Sequence, residues 1–242
     1  MLFDVLVIAF GCFAASAVNA AFATGGVHLT LAASSAVLPL AAAIPLQVAL
    51  NATSLIARII TCWRHIYWPV FVMFVPTATI GAIIGARVFI SLDEGVISLL
   101  LGGILLALIW LVPQGIDLKL PRRFAVIGGV HGFFSTIFGV GMFLQPAVLR
   151  TDLARLQITG TLAACIMALE VVKAGGYAGV GFDYAAYLPH VLAGSAASLF
   201  GNAAGHRLGA SVSEPRFRLV FKLIVTLVGI RLVVKGALLL AG

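Results

Sequence analysis

Two glycine-containing breaks interrupt long apolar stretches and are the first candidates for chemistry. Thr-Gly-Gly at 24–26 lies within the stretch 2–44, and Gly-Val-Gly at 139–141 lies within the stretch 124–149. Glycine allows the chain to turn, and a turn leaves backbone N–H groups without helical partners. At the start of a half-helix these groups carry partial positive charge, which favours an anion. The alternative is that the glycines are hinges that permit close helix packing.

Small polar side chains begin the predicted helix that follows each break. The first of these helices carries Asn51, Thr53 and Ser54, and the second carries Thr159 and Thr161. In an apolar setting, hydroxyl and amide groups can donate hydrogen bonds to an oxyanion. A threonine hydroxyl can instead bond to a carbonyl of its own helix.

Two cationic or titratable side chains lie close to these polar groups in the sequence. Arg58 comes one turn after Ser54, and its planar guanidinium could face an anionic substrate or could extend to the membrane interface near Arg64. His28 follows the first break and is a further candidate for the site.

Two other titratable residues at membrane depth could carry protons in a coupled transporter. They are His131, between Gly129 and Gly132, and Glu170. The alternatives are that His131 is a hydrogen-bonded core residue and that Glu170 pairs with Lys173 on the same helix face.

Signatures of enzymes and metal sites are absent from the sequence. There is no HExxH, GxSxG or P-loop motif, and no helix carries paired carboxylates. Cys12, Cys62 and Cys165 lie in apolar runs without the spacing of a metal site, which is typical of small buried apolar residues. We therefore expect no catalysis, no metal and no cofactor.

The composition identifies the elements that must position these residues. The chain has 242 residues, of which 62% are hydrophobic and 10% charged, and its mean hydropathy is +1.16. Lipid must solvate much of such a surface, which excludes a soluble enzyme, a nucleic-acid-binding module and a disordered chain. The net charge of +7 comes from basic residues scattered at the ends of apolar stretches, where they set membrane topology. Because the long apolar runs do not alternate as barrel strands would, we predict an all-α integral membrane protein.

One motif occurs twice, 120 residues apart. Residues 81–94 and 201–214 share the pattern G-x-x-x-G-x-R-x-x-x-S-x-x-E. Small residues four apart allow helices to approach closely in lipid, and Ser-x-x-Glu resembles a capping box for the next helix. This motif predicts architecture more than chemistry and indicates an internal duplication.

Basic residues orient the two copies in the membrane. Lys119, Arg122 and Arg123 place the linker 113–123 in the cytoplasm, between a first repeat at 1–112 and a second at 124–242. Because 124–149 is too short for two full passes, we interpret it as a re-entrant hairpin. Counting passes in both directions then makes the halves inverted copies, each a broken hairpin plus about three transmembrane helices, with the C-terminus outside. Two such hairpins would meet near the midplane at one anion site.

The sequence around the second break resembles a known family. Residues 139–149, Gly-Val-Gly-Met-Phe-Leu-Gln-Pro-Ala-Val-Leu, are similar to the G-x-G-G-G-x-x-x-x-P-x-L stretch of the sulfite exporter TauE/SafE family of membrane permeases. Met142 and Phe143 stand where that motif has glycine. Residues 46–54 resemble the segment after the family's first glycine-rich stretch, and residues 201–222 resemble its C-terminal half.

The resemblance implies a permease of the cytoplasmic (inner) membrane that moves sulfite or a small organosulfonate by alternating access. Its partners would be a sulfur oxyanion, membrane lipid, and protons or another coupling ion; nucleic acid is excluded, and a homo-oligomer is left open. The alternative is a channel-like or scaffold membrane protein for another small anion. The candidate substrate-binding residues are Thr24, Gly25, Gly26, His28, Asn51, Thr53, Ser54, Arg58, Gly139, Gly141, Gln145, Thr159 and Thr161.

Overall fold

The computed structural model describes residues 2–22, 26–110, 122–141, 143–208 and 214–241, and all regular structure in these ranges is helical. The α-helices are α1 (Leu2–Phe22), α2 (Gly26–Val37), α3 (Leu40–Cys62), α4 (Trp68–Ser91), α5 (Glu94–Trp110), α6 (Arg123–Phe138), α7 (Leu144–Leu149), α8 (Arg155–Gly179), α9 (Leu188–Leu208) and α10 (Glu214–Ala241). Short 3-10 turns at Trp63–His65 and Ala185–Tyr187 precede α4 and α9. Both predicted breaks separate helices, the first between α1 and α2 and the second between α6 and α7.

Several helices have the length and surface of membrane-spanning segments. In the described ranges, five are long and apolar enough to cross a membrane: Leu2–Ala21, Leu40–His65, Trp68–Ser91, Arg155–Gly179 and Lys222–Ala241. Large apolar side chains lie on the outside, with Phe10, Phe200 and Leu227 each more than two-thirds exposed. Hydrocarbon solvates such a surface, whereas water does not. The prediction of an all-helical, multi-pass membrane protein is therefore confirmed for the described residues.

The chain forms two compact units, and each takes segments from both halves of the sequence. Unit 1 comprises residues 1–50, 92–113 and 184–242, and unit 2 comprises residues 51–91 and 114–183. Helix α3 contributes its first half to unit 1 and its second half to unit 2. Most of the predicted linker, 113–123, lies outside the described residues, and the division into repeats at 1–112 and 124–242 stays a prediction.

In unit 1, α1 packs against α2 and α9, and α5 packs against α10. The contact between α1 and α9 depends on Gly201 and Gly205, because a Cβ on either would overlap the carbonyl oxygen of Phe13 or Ala17. In lipid the hydrophobic effect does not drive helices together, so close van der Waals contact must supply the stabilisation. Glycine permits that contact.

In unit 2, α4 packs against α6 and α8. A Cβ on Gly81 would overlap the carbonyl oxygen of Gly129, and one on Gly85 would lie 2.8 Å from the carbonyl oxygen of Phe133. The repeated G-x-x-x-G motif therefore makes the same kind of backbone contact in both units. The close helix packing predicted from small residues four apart is present at both copies.

Glu94 connects three helices in unit 1. Its Oε1 accepts the N–H of Leu40, the first residue of α3, at 3.0 Å, and the ammonium of Lys235 in α10 at 2.6 Å. The predicted Ser91–Glu94 capping box is wrong, since α5 begins at Glu94 and the Ser91 hydroxyl donates to the carbonyl of Val88. The carboxylate serves the N-terminus of a different helix, where an anion is favourable.

The close packing at the repeated motif predicts a stability effect. Gly81→Val and Gly201→Val each force a helix pair apart, which should cost about 1–3 kcal/mol, the usual range for overpacking. The measurement is the unfolding temperature of the purified protein in detergent. Gly103→Val is the matched control, because a Cβ on Gly103 in α5 meets nothing within 4 Å. Equal unfolding temperatures for all three variants would contradict this account of the packing.

The Glu94 contacts predict a pH-dependent contribution to stability. Burial alone would raise the pKa of Glu94, but the hydrogen bonds from Lys235 and Leu40 and the charge of Lys235 outweigh burial and lower that pKa below its ordinary value of 4.5. A lowered carboxyl pKa stabilises the fold above the ordinary value, and the stabilisation is lost as the pH falls through the folded-state pKa. Wild type should therefore unfold at a higher temperature than Glu94→Gln near neutral pH, and this difference should shrink below pH 4.5. Asp93→Asn is the neighbouring control, and a difference that does not change with pH would disprove the coupling.

Candidate anion site

At the first break, a side chain of α1 bonds to the start of α2. The Oδ1 of Asn19, one turn before the end of α1, accepts the N–H of Gly26 at 3.0 Å. A Cβ on Gly26 would overlap the Asn19 amide and the carbonyl of Ala15, so only glycine fits where α2 begins. His28 follows on α2 and is half-buried. The predicted residues Thr24 and Gly25 lie outside the described residues.

The second break is longer and is also held by a side chain of the preceding helix. After α6 ends, Gly139 has a φ of 71°, in the left-handed region where a Cβ is unfavourable. The Nδ1 of His131 accepts N–H groups from Phe143 at 3.4 Å and from Leu144, the first residue of α7, at 3.2 Å. A Cβ on Gly141 would overlap the His131 ring. The backbone geometry therefore requires glycine at both positions of this break.

We expected the N–H groups at the two breaks to face an anion, but several of them have protein partners. Those of Gly26, Phe143 and Leu144 are bonded to side chains. The other predicted donors are side chains, and several of them lie on α3.

Four predicted site residues lie within two turns of α3. Asn51, Thr53, Ser54 and Arg58 are half-buried and belong to unit 2. The Nε of Arg58 donates to the carbonyl of Ser54 at 3.4 Å, which leaves the terminal guanidinium nitrogens for another acceptor. No carboxylate of the described residues pairs with Arg58.

The two threonines of α8 differ in role. The Thr159 hydroxyl donates to the carbonyl of Arg155 at 2.9 Å, which is the local helix bond weighed as its alternative. Thr161 is fully buried, and its Oγ1 accepts the N–H of Tyr67 at 2.8 Å. Thr161 thereby joins α8 to the segment that leads into α4.

Buried polar side chains of unit 2 lie along α8. Lys173 and Glu170 make a buried ion pair at 3.0 Å, as their spacing on the helix predicted. The second carboxylate oxygen of Glu170, Oε2, is buried and has no hydrogen-bond partner among the described residues. One turn further along α8, the buried hydroxyl of Tyr177 donates to the carbonyl of Thr136 in α6.

The structure divides the predicted site residues between the units. Gly26 and His28 belong to unit 1. Unit 2 holds Asn51, Thr53, Ser54, Arg58, His131, Gly139, Gly141, Gln145, Thr159, Thr161 and Glu170. Sequence reasoning missed Asn19 and the Tyr67 partner of Thr161. An asparagine one turn before a Gly-Gly break was the available signal for the former, since its short amide is a good acceptor for free N–H groups.

Comparison with known proteins gives one result. No curated protein and no solved structure matches the chain. The family model described as sulfite exporter TauE/SafE matches residues 7–232, which is nearly the whole chain. That range includes both breaks, the polar helix starts and both copies of the repeated motif. The chain therefore belongs to the sulfite exporter TauE/SafE family of membrane permeases.

Proposed function

We propose that this permease moves sulfite or a small organosulfonate across the cytoplasmic membrane, with Arg58 as the main contact of the anion. The observation that carries the proposal is the half-buried guanidinium of Arg58 in the apolar segment Leu40–His65, whose hydrogen bond is to a backbone carbonyl and which has no carboxylate partner among the described residues. Family membership supplies the substrate class.

A positive charge within an apolar span needs compensation. Burying an unpaired charge costs several kcal/mol, so cations in membrane helices pair, face a polar cavity or extend to the interface. An anionic substrate would supply the missing charge while it is bound. Sulfite and sulfonate groups present three oxygens, and the planar fork of guanidinium donors can contact two of them.

Polar side chains beside Arg58 extend the same donor set. Thr53 and Ser54 can donate hydroxyl hydrogen bonds, and the Asn51 amide can donate as well. These groups lie on the part of α3 that belongs to unit 2, together with the second break. In this proposal the glycine breaks shape the backbone, while side chains of α3 supply most of the donors.

The helix contacts support two inverted repeats that alternate access. Helix α4 belongs to the first half of the chain and packs through its G-x-x-x-G onto α6, the first helix of the second half. Helix α9 belongs to the second half and packs through its G-x-x-x-G onto α1, the first helix of the first half. Such an exchange is expected of two copies related by a pseudo-two-fold axis. We propose re-entrant hairpins at both breaks and rocking of one repeat against the other.

The anion contact predicts a selective loss of transport. Arg58→Gln removes the charge while keeping a polar side chain, and it should lower the initial flux of sulfite or sulfoacetate into proteoliposomes at least about 30-fold, equivalent to ~2 kcal/mol for a charge-assisted hydrogen bond. Thr53→Val should lower the flux less, because it removes one neutral donor. Arg64→Gln is the control, since Arg64 is exposed and stacks on Trp63.

Two outcomes of this assay would overturn parts of the proposal. If no sulfur oxyanion enters faster than into protein-free vesicles, while chloride or sulfate does, the substrate class is wrong. If sulfite enters but unlabelled internal sulfite fails to accelerate uptake of labelled sulfite, the protein is channel-like rather than an alternating-access carrier.

We assign proton coupling to Glu170. Its Oε2 is buried without a hydrogen-bond partner in the part of the chain that the structure describes, whereas the His131 Nδ1 is bonded to the backbone of the second break. Glu170→Gln combined with Lys173→Met should abolish the acceleration of uptake by an imposed pH gradient. The double change avoids leaving the Lys173 ammonium buried and unpaired.

His131→Asn is the comparison for this prediction, and it should keep the response to the gradient. A wild-type response in the Glu170/Lys173 double variant would rule out Glu170 as the coupling group.

A further inference from the structure

We infer that His131 and Asn19 are positioning residues that hold the two glycine breaks in the shape required for transport; this inference rests on the function proposed above. Neither residue is assigned to substrate. Each is a neutral acceptor on the helix before a break, and each bonds to the backbone at the start of the helix after it.

Helix α7 is too short to be stable without such help. It has six residues, and its N-cap, Phe143, makes no side-chain capping bond. The first N–H groups of any helix lack helical partners, and in lipid they cannot turn to water instead. The Nδ1 of His131 receives two of these groups and therefore acts as a cap supplied by α6.

The His131 ring is enclosed by the elements that it joins. It is 3% exposed, and its ring meets Phe74 of α4 edge to face at 5.5 Å between centroids. The backbone of Gly141 passes directly against the ring, where a Cβ would overlap Cε1 and Nε2. The ring thus fixes both the path of the break at Gly141 and the start of α7.

The hydrogen-bond pattern determines the protonation state of this histidine. An Nδ1 that accepts N–H groups carries no proton, so the neutral ring has its proton on Nε2. Protonation of Nδ1 would turn the acceptor into a donor and release both backbone groups. His131 can therefore hold the break or carry a proton at Nδ1, but it cannot do both at once.

Asn19 performs the equivalent task at the first break. Its Oδ1 accepts the N–H of Gly26, and the amide fits only because Gly26 has no side chain. The sequence separation is 7 residues here, against 12 and 13 at the second break, where the capping residue lies further from the end of its helix. Asn19 and His131 thus share one property: each provides a neutral acceptor for backbone N–H groups at the start of the helix that follows.

The experiment separates an acceptor role from proton transfer by exchanging the acceptor. His131→Asn keeps a short neutral acceptor that cannot titrate, whereas His131→Leu keeps an apolar volume and has no acceptor. Hydrogen–deuterium exchange of the amides at 143–149, in the otherwise wild-type full chain, reports the break directly. His131→Leu should speed this exchange about 10-fold or more, the effect of losing ~1.4 kcal/mol of hydrogen bonding.

Transport gives the second readout. His131→Asn should retain at least about half of the sulfite flux and the same pH profile, while His131→Leu should lose about 10-fold in flux. At the first break, Asn19→Asp keeps an acceptor and should retain a higher sulfite flux than Asn19→Leu.

Two results would overturn the inference. One is unchanged amide exchange in His131→Leu, and the other is His131→Asn losing flux as completely as His131→Leu. The exchange measurement does not depend on substrate, so it stays decisive even if no sulfur oxyanion is transported.

Discussion

A backbone N–H that leaves a helix needs a hydrogen-bond partner, and in a chain surrounded by lipid that partner must come from the protein or its ligand. The two glycine breaks create this demand in the middle of an otherwise helical chain. Asn19 provides the acceptor at the first break, and His131 provides it at the second. Gly26 and Gly141 are then needed, because a Cβ on either would overlap the side chain that accepts the backbone N–H groups.

The same constraint explains which polar groups remain for an anion. The Gly26 N–H at the start of α2 and the Leu144 N–H at the start of α7 have protein acceptors, and in the proposed site the donors to the anion are side chains of unit 2, above all Arg58. Close backbone contact at Gly81 and Gly85 in unit 2, and at Gly201 and Gly205 in unit 1, stabilises the helix pairs of each unit without hydrophobic force. Polar side chains with a structural role can thus be distinguished from the proposed contact of the anion. Glu94, Thr161 and Asn19 accept backbone N–H groups, whereas no carboxylate of the described residues compensates the charge of Arg58.

Local features of this chain were predictable from its sequence, and features that depend on distant contacts were not. The lengths of the apolar stretches predicted the helices, and the glycine clusters predicted both breaks, because helices and breaks depend on neighbouring residues. The Ser91–Glu94 capping box failed since Glu94 bonds to Leu40, more than fifty residues earlier in the chain. The grouping of α1 with α9 and of α4 with α6 also depends on contacts that no local pattern encodes. Arg58 could be named from its position inside an apolar helix, but the absence of a carboxylate partner among the described residues required the structure.

In the proposed function, Arg58 holds a sulfur oxyanion. Isothermal titration of sulfite and of sulfoacetate into the purified protein tests it directly, with Arg58→Gln and Arg64→Gln as the matched pair. The prediction is saturable binding to wild type and to Arg64→Gln, weakened at least about 30-fold in Arg58→Gln. Equal affinity of wild type and Arg58→Gln for both ligands would contradict it.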